Sequence, residues 1–196
     1  MKYAHENGCP WDEKTCWSAT ENGHIECLKY AHENECPWGA TCMGAALNGH
    51  FECLKYAHEN GCPWDVRTCS YAAANGHLEC LKYAHENECP WGASTCMGAA
   101  SCGHLECFKY AYENECPWDE DTCSGAAKNG HLECLKYAHE NGCPLDEDIC
   151  SRAAKRNHLE CLEYLLKKGC TWNEWTYDSE TDEETSDSDS DSGGYW

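Results

Sequence analysis

The sequence predicts an all-α solenoid of helix–loop–helix repeats followed by a disordered acidic tail. Three observations carry this prediction. A histidine recurs at a nearly fixed interval, a near-identical string follows each one, and the pattern stops near residue 173. The histidines are His24, His50, His77, His104, His131 and His158, with a first interval of 26 residues and four of 27. A close copy of HLECLKYAHEN-G/E-CPW starts at each, and half a copy, MKYAHENGCPW, opens the chain. Self-similarity at a short fixed period marks an array whose stacked units bury a face that one unit alone cannot. The expected boundaries are 1–172 for the array (a half repeat over 1–11, then six helix pairs) and 173–196 for the tail.

Within a unit the first helix is expected to be the shorter. Asp12, Asp65, Asp119 and Asp146 are candidate N-caps, with Gly39 and Gly92 at that place in two copies. Runs such as TCSYAAANG supply small residues that let neighbouring helices approach closely, and end on Asn75–Gly76. The second helix is the clearer one. In IECLKYAHEN, Ile25, Cys27, Leu28, Tyr30 and Ala31 share one face, while Glu26, Lys29 and Glu33 lie opposite. Asn34–Glu35 or Asn60–Gly61 ends it, and Pro37 or Pro63 prevents its continuation. Glu35, Glu88 and Glu115 stand where other copies have Gly, so a positive φ there would cost about 1 kcal/mol each. The stretch after Trp38 is one residue shorter than its counterpart in the preceding unit, which predicts a loop there.

Charge narrows the function. With 35 Asp and Glu against 14 Lys and Arg, nucleic acid and anionic membranes are disfavoured partners. No stretch approaches the roughly 18 apolar residues of a membrane span. The opening MKYAHENGCPWDEK has no apolar signal region, so a reducing cytoplasmic or nuclear setting is expected, with the 20 cysteines as thiols or metal ligands.

The strings AAANGHLECLKYAHENG and AAKNGHLECLKYAHENG resemble the centre of an ankyrin repeat, roughly AAxxGHLEVVKLLLENGAD. The last unit is nearest that pattern, with Leu165, Leu166 and Gly169. The resemblance spans about residues 1–172. The shorter period implies that the projecting β-hairpin of ordinary ankyrins is cut to a short loop or absent, and the TPLH signature is replaced by Thr-Cys and a variable residue. This short Cys-Pro-Trp variety is similar to arrays found in large DNA viruses of eukaryotes, some algae and oomycetes. The resemblance implies a non-catalytic scaffold, expected as a monomer without cofactor, that binds a protein partner. It also implies that the Gly-His histidine bonds across the helix turn.

Zinc is the competing reading of the cysteines. Each unit carries Cys, Cys, His and Cys in order, for example Cys9, Cys16, His24 and Cys27, and these are suitable zinc ligands. Against it, the resemblance puts Cys16, Cys27 and Cys36 at or near buried apolar positions, and no close C-x2-C pair exists. Cysteine as a small hydrophobe is therefore favoured. Cys102 replaces an Asn before Gly103 and is the candidate exposed thiol. Trp11, Trp38, Trp64, Trp91 and Trp118 suggest a stacking platform, but Leu145 in one copy argues for space filling. No nucleophile with its base stands out from the repeats, so no enzyme is expected.

Comparison of the repeats with one another locates a candidate partner surface. The second helix barely changes, whereas the loop and first helix vary. The residues Trp17, Met43, Tyr71, Met97 and Arg152 there are the expected partner contacts, being of the types that anchor interfaces. In the tail, Ser179, Thr181, Ser186 and Ser188 each have an acidic residue three positions on, as acidophilic kinases prefer. Two alternatives stay open: a Cys/His metal-binding repeat protein, and a structural or decaying repeat product without a dedicated partner.

Overall fold

The computed structural model describes residues 2–171, and among these every regular element is a helix. The tail, with Ser179, Thr181, Ser186 and Ser188, lies outside the described residues. A five-residue helix, α1 (Lys2–Glu6), is followed by six helix pairs. The first helices of the pairs are α2 (Glu13–Glu21), α4 (Thr41–Leu47), α6 (Val66–Ala74), α8 (Ala93–Ser101), α10 (Glu120–Lys128) and α12 (Ile149–Lys155). The second helices are α3 (Ile25–Glu33), α5 (Phe51–Glu59), α7 (Leu78–Glu86), α9 (Leu105–Glu113), α11 (Leu132–Glu140) and α13 (Leu159–Lys167). The projecting hairpin is absent from the described residues, as the short period implied.

Each second helix follows from its spacing. In α7, Cys80, Leu81 and Ala84 are buried while Glu79, Lys82 and Glu86 face water. On the outer face Lys29–Glu26, Lys109–Glu106 and Lys136–Glu133 pair at 2.9, 3.0 and 2.8 Å, three residues apart. Such exposed pairs contribute little to stability, because water and salt screen them. The end of α7 is fixed more firmly. Asn87 bonds back through its side-chain amide to Tyr83 O at 2.8 Å, and Cys89 N donates to Ala84 O at 2.9 Å. The residue between them must turn left-handed, and Glu88 does so with φ 64°. Glu35 and Glu115 do the same at 62° and 63°, where Gly61 and Gly142 serve the same turn in other copies.

The first helices depart from expectation in three ways. Most are as long as the second helices, at nine residues, and only α4 and α12 are shortened to seven. The missing residue after Trp38 is thus taken from the helix: α4 is two residues shorter than α6, while the loop before it, residues 34–40, is one residue longer than 60–65 before α6. Gly39 turns left-handed at φ 54°, and Ala40 becomes the N-cap of α4 in place of Gly39. Asp146 is not the N-cap of α12 either. That helix starts late, after Asp148, and Asp146 instead accepts from Asp148 N at 2.9 Å and from the Ser124 hydroxyl. Asp12 and Asp65 do cap, accepting from Lys14 N and Arg67 N at 3.0 and 2.9 Å. Asp119 takes the extended N-cap conformation without a side-chain bond, and Gly92 caps α8.

The first helices stack in one layer and the second helices in another. Neighbouring first helices meet more extensively than neighbouring second helices, because Ala, Gly and Cys line the former and Tyr the latter. The closer spacing on one side curves the array toward the first-helix layer. Between the layers runs a column of fully buried Leu28, Leu54, Leu81, Phe108 and Leu135, continued in the last repeat by the half-buried Leu162, with Leu165 fully buried at the place of Ala138.

Replacing Glu88 by Gly should relieve a left-handed L-residue and stabilise the array by about 1 kcal/mol. The expected outcome is a higher urea midpoint at unchanged slope, and a lower midpoint would refute the strain.

Candidate functional site

Two repeated constructions use the polar and aromatic residues that invite chemical readings. The first is the Gly-His step. His50 and His77 place Nε2 3.2 Å from Glu21 O and Leu47 O, the last carbonyls of the preceding first helix. The imidazole also lies flat against the preceding repeat's glycine. A Cβ on Gly76, at φ 75°, would stand 2.5 Å from His104 Nδ1, so glycine is required there both by conformation and by space. The ring therefore bonds between repeats, while the backbone N–H bonds across its own helix turn, His77 N donating to Ala72 O at 2.8 Å. Burial holds the His77 and His131 rings below the ordinary histidine range, opposed by their bonds to backbone carbonyls.

The second construction passed unnoticed in the sequence. The histidine of YAHEN stacks on the tryptophan six residues later. His58–Trp64 and His85–Trp91 have ring centroids 3.7 and 3.8 Å apart and planes within 12° and 13°. Its Nδ1 then lies 3.0 Å from Tyr83 OH for His58 and 2.9 Å from Tyr110 OH for His85, a hydrogen bond into the next repeat. Each tyrosine meets the tryptophan edge-on, with centroids 6.3 Å apart. The tryptophans are half-buried, and one face of each is already covered by the chain itself, so they form no free stacking platform. The signal was present as the constant six-residue step from His5, His32, His58 and His85 to Trp11, Trp38, Trp64 and Trp91. Tyr112 replaces the histidine above Trp118, and its ring still contacts the indole at 4.6 Å.

The cysteines pack and also donate. The first-helix thiols of Cys42 and Cys96 point at Cys62 O and Cys116 O, both 3.7 Å away. The thiols after the turn return to the start of the same pair. Cys89 reaches Asp65 O at 3.4 Å and Cys116 reaches Gly92 O at 3.3 Å. A valine would fill the space but forfeit these weak thiol bonds; at Asp65 O and Gly92 O the thiol adds to a backbone donor already present, Thr68 N at 2.9 Å and Thr95 N at 2.8 Å. Burial pushes Cys80 up to about 12 and Cys107, Cys134 and Cys161 up to about 11, so these thiols stay protonated and unreactive near neutrality.

The suggested zinc set does not converge: Cys16 is buried, Cys27 half-buried, and Cys9 and His24 exposed. Among the described residues no group of three or more His, Cys, Asp or Glu side chains is placed to hold a metal ion. Cys102 is exposed at the end of α8, and Cys9, which the sequence reading did not single out, is exposed as well.

The candidate partner residues all lie on first helices. Tyr71 and Met97 are large apolar side chains left 37% and 38% exposed on the consecutive helices α6 and α8. Trp17 and Met43 are half-buried. Trp17 leans over Gly44, where an added Cβ would come within 2.9 Å of its ring, so part of that indole serves packing. Arg152 is half-buried and paired with Asp146 at 3.4 Å. The structure adds a cleft of about 240 Å³ between the loops before α4 and α6, lined by residues that include Met43, Trp64, Asp65 and Arg67. Arg67 was not foreseen, because its nearness to Met43 comes from stacking and has no trace in local sequence.

Residues 42–121 match the family model of ankyrin repeats, in three copies. Among solved structures, the fold is similar to the human ASB11 ankyrin repeat domain, at a TM-score of 0.67 and 19% identity over 80% of this chain and 84% of that one. No curated protein matches the chain. None of the described helices is long and apolar enough to cross a membrane.

His85→Ala removes one ring stack and one hydrogen bond, and should cost about 1–3 kcal/mol in urea unfolding. His85→Tyr, which copies Tyr112, should cost less. Equal losses would show that the ring contact contributes nothing.

The lowered His77 and His131 values also set a pH dependence. An imidazole harder to protonate when folded contributes stability that is present above its unfolded value, near 6.5, and is lost as pH falls through the lower folded value. Between pH 7.5 and 5.5 the native array should therefore lose more stability than a His77→Asn/His131→Asn variant. Equal losses in thermal melts would contradict this.

Proposed function

Starting from an array that carries ankyrin repeats, we propose that this protein is a non-catalytic scaffold that binds a protein partner through the variable face of its first helices and the adjoining loops. The observation that carries the reading is the exposure of Tyr71 and Met97 on the stacked helices α6 and α8, with Val66 exposed on α6 as well. Aromatic and methionine side chains held on a rigid helix lose little freedom on binding and supply most of their area to the contact. The cleft beside Met43 and Trp64 adds a concave element to the same region, and Arg67, bonded to Asp65 at 2.7 Å, gives it a polar rim.

Trp17 and Met43 enter this reading as half-covered flanks of the surface, and Arg152 as its far end. Ankyrin repeats generally act as protein-interaction modules, which supports the class of activity. The chain's acidity favours a protein partner with a basic or mixed surface over a nucleic acid.

Pull-down with the native chain and a Tyr71→Ala/Arg152→Glu variant, compared by quantitative mass spectrometry, tests the surface. A specific partner retained by the native chain should fall at least about tenfold with the variant, equivalent to about 1.4 kcal/mol. Equal retention by both, with matching thermal melts, would remove this face from consideration.

A further inference from the structure

The repeats differ in charge at one edge. The last residue of the first helix is Glu21, Leu47, Ala74 and Ser101 in the first four pairs, but Lys128 and Lys155 in the last two. The next residue is Asn22, Asn48, Asn75, Cys102 and Asn129, and then Arg156. Three cations have thus replaced neutral or acidic residues in the two repeats beside the C-terminus. Lys128, Lys155 and Arg156 are exposed, and none of them takes part in the ion pairs of the described residues. Lys29, Lys109, Lys136 and Lys167 each hold a glutamate on their own helix, and Lys82 and Lys168 lie over tyrosine rings, so what sets this edge apart is the gathering of three cations. Cations at helix C-termini favour the helix dipole. The equivalent ends of α2, α4, α6 and α8 carry none, so the fold does not require them.

Three cations at one edge of so acidic a protein, without an ion pair among the described residues, favour an acidic occupant, and the chain carries one close by. Residues 173–196 contain nine carboxylates and no Lys or Arg. The geometry of reach also fits. Helices α12 and α13 run antiparallel as a hairpin, so the chain leaves α13 at the end away from Lys155. The nine residues of α13 make that distance about 13 Å. Residues 172–177 span up to about 20 Å when extended, which brings the acidic run beginning at Asp178 to the cationic edge.

We propose that the acidic segment from Asp178 to Asp191 docks within the same molecule on the edge formed by Lys128, Lys155 and Arg156. Elsewhere the array repels it, because acidic residues outnumber basic ones. The docking does not depend on the partner reading, and its test needs no partner.

Zero-length carbodiimide cross-linking of the full chain, mapped by mass spectrometry on a mixture of unlabelled and ¹⁵N-labelled protein, reads the contact directly. Lys128 and Lys155 should join carboxylates between Asp178 and Asp191 within one molecule. Raising NaCl from about 0.05 to about 0.5 M shortens the screening length from roughly 14 to roughly 4 Å and should lower these products about fivefold. Arg156→Glu should lower them too, while leaving cross-links from Lys167 and Lys168, which need only chain proximity. Products at Lys128 and Lys155 no more frequent than at the exposed Lys14 would overturn the proposal. So would products that join two molecules, or that ignore both salt and Arg156→Glu.

Discussion

Neighbouring first helices approach so closely that a Cβ added to Gly44 would lie 2.9 Å from the Trp17 ring, and one added to Gly98 would lie 3.1 Å from the Ala74 side chain. The remaining architecture depends on this approach. It sets the spacing at which each histidine of the Gly-His step reaches the carbonyl ending the previous first helix. It also brings one leucine or phenylalanine per repeat into an unbroken column between the layers. A lone helix pair of this size would leave both features exposed. Stability is therefore a property of neighbouring repeats, and substitutions at the contact should propagate along the stack rather than stay local.

The unusual composition follows from the same short repeat. Without a hairpin to cover the loop side, the unit closes itself with side chains. Tryptophan takes the large gap beside the turn, histidine lies on its face, and tyrosine from the next repeat closes the edge. The His58–Tyr83 and His85–Tyr110 bonds satisfy polar atoms that this half-buried stack would otherwise leave unpaired. Cysteine is suited to the positions deeper inside, being small enough to pack and still able to donate weakly to Cys62 O or Cys116 O. Residues that look like metal ligands or a nucleotide platform are thus engaged with one another.

What remains for function is the surface that stacking does not consume. Helix-two residues are constrained by the leucine column, the aromatic stack and the exit turn, which is why their sequence hardly varies. The first-helix layer contributes its small residues to packing and leaves the side chains between them free to differ. Tyr71 and Met97 project from a rigid base there, and Lys128, Lys155 and Arg156 mark its edge with charge. Such an arrangement suits recognition, in which shape and charge are set by a few positions on an otherwise uniform frame.

Much of the fold was legible because the repeat states its rules six times. The helix-two face, the asparagine exits and the left-handed site shared by Gly61 and Glu88 all follow from local sequence, since each depends on residues within one turn of the chain. The buried role of most cysteines was legible as well, through the ankyrin resemblance. Start points of α4 and α12 were not: Gly39 turns left-handed so that Ala40 caps α4, and Asp146 is drawn to Ser124 so that Asp148 caps α12. Nor was the pairing of His85 with Tyr110, or the cleft that joins Met43 to Arg67. By itself the sequence determined the period, the helices and their buried faces, which local conformational preference and spacing dictate. Only the stacked structure decided which polar side chains meet and which exposed residues share a surface, because those partners lie one repeat apart and are brought together by packing alone.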